Sequence, residues 1–180
     1  MGEIKSTLDL VMERTKHMTL SAEERREQAL SELRGTLNGM IQRFLDGTIH
    51  LERFREEHQR ALSGSGVQEP GILFHLLSDR VDPDGENDGL LELMERVCGA
   101  NTSRLSDLLE QYRLAVAAQS RLRLETLRAE LRDKRGIHGT SVRPNLDADP
   151  LWAATRKTVT EDFRERIALE MKQLRESAAG

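Results

Sequence analysis

The sequence predicts an all-α protein: a helical bundle with a long C-terminal antiparallel helical hairpin, coiled-coil-like in its packing. Three observations carry this. Charged residues make up 32% of the 180 and aromatics only 3%, a balance that suits solvated helices and denies a sheet the β-branched and aromatic residues that strands prefer. Apolar residues recur at helical spacing along most of the chain. From Ser103 to Gly136 the pattern runs without a Gly or Pro for about 32 residues, or about 48 Å of helix.

Ile4, Leu8, Val11, Met12 and Thr15 mark an amphipathic helix over about residues 3–17. A second helix opens at Ser21, where Glu24 completes a capping box. Its apolar positions Leu30, Leu33, Leu37, Met40, Ile41 and Phe44 run to a stop at Asp46 and Gly47. Gly35 and Gly39 interrupt it at a cost of about 1 kcal/mol each relative to Ala. They serve either a close approach by a neighbouring helix or a hinge, or they are tolerated in a helix held by its packing. Ile49, Leu51, Phe54, Ala61 and Leu62 give a third helix ending at a Gly/Ser joint, residues 63–66. Pro70 suits the first position of a short helix through Leu73, Leu76, Leu77 and Val81, stopped by residues 82–85. A further short helix runs from about Gly89 to Cys98.

In the long helix, with Ser103 as N-cap, the stripe is Leu105, Leu109, Tyr112, Val116, Ser120, Leu124, Leu127 and Leu131. After a loop over 136–149, Asp149 and Pro150 form an N-cap and N1 pair. They open a last helix with the stripe Trp152, Val159, Phe163, Ile167, Met171 and Leu174. The expected organisation is an N-terminal lobe of short helices over 1–102 and a hairpin over 103–180.

The net charge of −4 gives no general attraction to polyanions. It divides unevenly, with 12 basic against 19 acidic residues over 1–103 (net −7) and 15 against 12 over 104–180 (net +3). The single Cys98 reads as a small core residue, and a reducing cytoplasm is the expected location. Glu3, Lys5 and Asp9 break any secretory h-region, and no apolar run reaches the length of a membrane span. Met1, Gly2 and Ser6 fit the N-myristoylation pattern in form only.

The most motif-like stretch is residues 84–95. Taking Asp84 as position 1 places Glu86 at 3, Asp88 at 5, Gly89 at 6 and Glu95 at 12, the spacing of an EF-hand calcium loop. Such a site needs a sharp turn at Gly89 so that the carboxylates converge. The alternative is a polar turn in which Asp88 caps the next helix, and on that reading the protein takes no cofactor. The five histidines show no metal-ligand spacing, and no phosphate loop, nucleophile elbow or CxxC pair occurs, so the chain reads as a non-enzyme.

Arg121, Arg128, Arg132 and Arg135 share one face of the long helix and can track phosphates, although Glu125 is placed to pair with Arg121 and Arg128. The loop that follows offers His138, Ser141 and Arg143 to a partner, with Ile137, Val142 and Leu146 as apolar staples.

The stretches GEIKSTLDLVMERTKHMTL (2–20) and GIHGTSVRPNLDADPLW (136–152) resemble small helical proteins of bacteria, and that resemblance implies no activity. Ribosome recycling factors are similar in length and in their long helices. They carry a β-rich domain between helices, whereas residues 46–103 read as short helices. The functional expectation is a non-catalytic interaction or assembly module, taking a protein partner or a second copy of itself, with no membrane. The alternative is an RNA- or ribosome-associated factor that uses the arginine face.

Overall fold

The computed structural model describes residues 21–67 and 69–178; the helix expected over 3–17, with His17 at its end, lies outside them. The described residues form six helices and no strand, and none of these helices is long and apolar enough to cross a membrane. The chain divides into two compact units, Met1–Glu69 and Pro70–Gly180.

The first unit holds α1 (Ala22–Leu45) and α2 (Leu51–Ser65). The capping box forms as expected: Ser21 Oγ accepts the Glu24 amide at 3.1 Å, and Glu24 Oε2 accepts the Ser21 amide at 2.6 Å. At the other end Gly47 turns at φ 69°, and the amides of Gly47 and Thr48 donate to the carbonyls of Phe44 and Arg43. α1 buries Leu33, Leu37, Met40 and Ile41, and α2 buries Phe54. The edge of Phe44 meets the Phe54 ring at 5.8 Å, and Arg43 pairs with Glu57.

One expectation changes here, and of the two readings of the α1 glycines the close approach finds no support. The joint at 63–66 is helical through Ser65, because the hydroxyls of Ser63 and Ser65 donate back to the carbonyls of Gln59 and Leu62. Only Gly66, left-handed at φ 64°, ends the helix. Among the described residues nothing approaches Gly35 or Gly39, where an added Cβ would meet no atom within 4 Å.

The second unit holds α3 (Ile72–Ser78), α4 (Asp88–Arg96), α5 (Ser103–Arg135) and α6 (Pro150–Ala178). The short helices α3 and α4 fall in the same compact unit as the long ones, which begins at Pro70. Residues 99–102 form a tight corner: Thr102 Oγ1 donates to Glu95 Oε1 at 2.5 Å, and the Ala100 amide donates to the Met94 carbonyl. This also moves the N-cap of α5 from Ser103 to Thr102. Pro70 does not open α3; Gly71, at φ 79°, caps it, and the His75 amide makes the first helical bond to the Gly71 carbonyl.

α5 and α6 form the most extensive helix contact of the unit. Arg104 pairs with Glu170, Gln111 with Arg166, Tyr112 with Thr160 and Arg123 with Asp149. Partner numbers fall along α6 as they rise along α5, the order that an antiparallel pair requires. Both expected stripes face inward. Leu105, Leu109 and Tyr112 on α5 are buried, as are Trp152, Phe163, Ile167, Met171 and Leu174 on α6.

Burial fades along α5. Beyond Tyr112 no residue of this helix is buried, and Val116, Leu124, Leu127 and Leu131 are only partly covered. At the far end Asp149 and Pro150 do open α6: Asp149 Oδ2 accepts the Trp152 amide at 3.1 Å, and the Asp149 carbonyl accepts that of Ala153.

Because no described residue packs on either α1 glycine, Gly35→Ala and Gly39→Ala should each raise the melting temperature by about 1–4 °C through lower unfolded-chain entropy. A fall in thermal scans would show that something packs on them.

Candidate functional site

The acidic segment before α4 folds into a turn closed by its own groups. Asn87 is 1% exposed. Its side-chain amide donates to the carbonyls of Asp82 at 2.7 Å and Gly85 at 3.1 Å, and its Oδ1 accepts the Asp82 amide at 3.2 Å. Asn87 is also the N-cap residue of α4, with its side chain spent in the turn. The helix therefore begins at Asp88 and takes in Gly89, so the sharp turn that an EF-hand loop needs at Gly89 is not made.

The four proposed ligands go separate ways. Asp84 Oδ1 accepts the Tyr112 hydroxyl at 2.6 Å and Arg156 Nη2 at 3.1 Å. Glu95 accepts from Thr102, and Glu86 and Asp88 are exposed. Among the described residues no group of three or more His, Cys, Asp or Glu is placed to hold a metal ion.

Tyr112 is the centre of this arrangement. It is 2% exposed and lies edge-on to Phe163 at 5.6 Å, and its hydroxyl also lies 3.0 Å from Thr160 Oγ1. Burial, followed by the hydrogen bond to Asp84, raises its pKa. The hydrogen bond from Tyr112, ahead of that from Arg156, lowers the pKa of Asp84 against the opposing effect of burial.

At the other end of α5, Arg121, Arg128, Arg132 and Arg135 are all exposed. The expected pairing with Glu125 does not occur, because the described ion pairs include none between Glu125 and Arg121 or Arg128. Arg132 instead pairs with Asp133 at 2.8 Å. The structure brings Arg128, Arg132 and His138 together at a cleft of about 320 Å³, with Glu125, Ile137 and Val142 also in its lining. Arg121, Arg135, Ser141 and Arg143 do not line it. Gly136, left-handed at φ 64°, ends α5 by donating to the Arg132 carbonyl, and His138 Nδ1 lies 2.9 Å from the Gly136 carbonyl. Val142 and Leu146 are partly covered, as staples should be, but Ile137 is 46% exposed. The αL turn at Gly136 uses its backbone amide and leaves the side chain in solvent.

Sequence reasoning missed Arg123. It lies off the basic face and reaches Asp149 with two nitrogens, Nε to Oδ2 at 2.5 Å and Nη2 to Oδ1 at 3.0 Å. That hydrogen bonding raises the pKa of Arg123 and lowers that of Asp149. The available signal was a cation between Leu122 and Leu124 on a helix that had to meet the Asp149 cap. Of the other candidates, His58 stacks on Phe54 at 6.3 Å and burial lowers its pKa. Cys98 is partly buried and its thiol is pushed up to about 11, so little thiolate exists at neutral pH.

The raised pKa of Tyr112 contributes stability below the unfolded value of about 10, lost as pH rises through the folded value; the lowered pKa of Asp84 contributes stability above about 3.9, lost as pH falls. The chain has one tyrosine, so a spectrophotometric titration reads it directly. Tyrosinate should appear only above pH of about 10; ordinary ionisation in the folded protein would contradict the buried junction. No family model, curated protein or solved structure matches the chain.

Proposed function

We propose that the chain is a non-catalytic helical assembly module in which α5 receives a helix from a second copy. One observation carries this reading: a line of apolar side chains that the unit leaves uncovered. Leu114 and Leu122 are each 60% exposed, and the exposed Ala118 between them completes a ridge at four-residue steps. Such a ridge fits the groove of another helix. Burying a side chain like Leu122 is worth about 1.5–3 kcal/mol. A second copy supplies the same ridge through a two-fold axis and needs no other partner.

A second reading, RNA association, is favoured by the cleft shared by Arg128, Arg132 and His138, beside a face on which Arg121, Arg128 and Arg135 form no ion pair among the described residues. Phosphate oxygens would be the acceptors for these donors.

Sedimentation velocity with a labelled single-stranded RNA separates the two. Assembly predicts a species of twice 20.4 kDa, reduced to monomer by Leu114→Glu with Leu122→Glu and unaffected by RNA. A wild-type monomer at concentrations on the order of 100 µM contradicts it. Co-sedimenting RNA, lost on raising salt and in an Arg128→Gln, Arg132→Gln variant, would support the second reading instead.

A further inference from the structure

A cleft of about 430 Å³ lies between one face of α6 and the segment 78–83 that follows α3. Its base is apolar, since Ile167, Met171 and Pro83 are buried and Val81 and Ala168 extend the lining. Three cations, Arg164, Lys172 and Arg175, surround it. On α6 these positions recur at eight and three residues, which keeps them beside the apolar line 167, 168 and 171.

The lining has one carboxylate, Asp82, and it is engaged: its Oδ1 accepts the Asp84 amide at 3.1 Å. Among the described residues, Arg164 and Lys172 make neither a hydrogen bond nor an ion pair; the field of Arg164 acts on Asp84 from a distance. Arg175 donates from Nη2 to Asp79 at 3.3 Å, while its Nε is buried without an acceptor. A buried donor is costly to leave unpaired and marks a place where an acceptor is missing.

We propose that this cleft binds a small amphiphilic anion, with an oxyanion head on a hydrocarbon body. The head balances the charge of Arg164 and Lys172, neither of which has a partner among the described residues. The body lies on Ile167, Met171 and Pro83. A polyanion would leave that apolar base uncovered, and a neutral alcohol would leave the cations unbalanced. The size falls within the range of small-molecule sites, which combine an apolar lining with a few placed polar groups. The proposal is independent of self-association through α5, whose ridge residues do not line the cleft.

Calorimetric titration of the full chain with octanoate, octanol and acetate tests it, with the methyl resonance of Met171, assigned through Met171→Leu, as a second reading. Octanoate should saturate and shift that methyl, and the octanol and acetate controls should each bind about tenfold more weakly or worse. Arg164→Gln with Lys172→Gln should weaken octanoate about tenfold with helical content unchanged, because neither side chain holds another residue. No saturation by roughly 10 mM octanoate would overturn the proposal. So would equal binding of octanol, unchanged affinity in the variant, or heat without movement of the Met171 methyl.

Discussion

The buried hydroxyl of Tyr112 needs partners, and the second unit is arranged around supplying them. An unpaired phenolic group at that depth would cost free energy comparable to a lost hydrogen bond. Asp84 and Thr160 provide the partners, from a turn on one side and from α6 on the other. For Asp84 to reach Tyr112 the turn must hold one shape, and the three hydrogen bonds of Asn87 hold it. Arg156 then joins the same carboxylate from α6. One phenol thus links a loop and two helices, and the carboxylate that heads an EF-hand-like spacing is used to do so.

Away from this junction the packing of α5 weakens. Its first stripe residues are fully buried, its later ones only in part, and the ridge at Leu114 and Leu122 is left to solvent. The distal end is held by a different device, the Arg123–Asp149 pair, in which one carboxylate both caps α6 and grips α5. A helix fastened at both ends by polar contacts, with apolar surface between them, is suited to receiving another helix. The exposed ridge on the side of α5 away from its buried stripe links the fold to the proposed assembly role.

Helical periodicity and capping chemistry made much of this legible in the sequence. The Ser21–Glu24 box, the stop at Gly47, the two long stripes and the Asp149–Pro150 start all rest on interactions local to a few residues, which sequence spacing encodes directly. What escaped depended on contacts between distant segments. Residues 84–95 carry the spacing of a calcium loop, but whether Gly89 turns or continues a helix was decided by Asn87, whose role is visible only once the turn closes. The corner at 99–102 likewise closes only through the bond from Thr102 back to Glu95. Arg123 lies off the face that the four arginines share, and its partner is 26 residues on, beyond the reach of local spacing.

The central claim is that Tyr112 and Asp84 act as one unit, and a double-mutant cycle tests it most directly. Unfolding free energies would be measured for Tyr112→Phe, Asp84→Ala and the double variant. Coupling predicts that the double variant loses less than the two single losses combined, by more than about 0.5 kcal/mol. Additive losses within that margin would contradict the account.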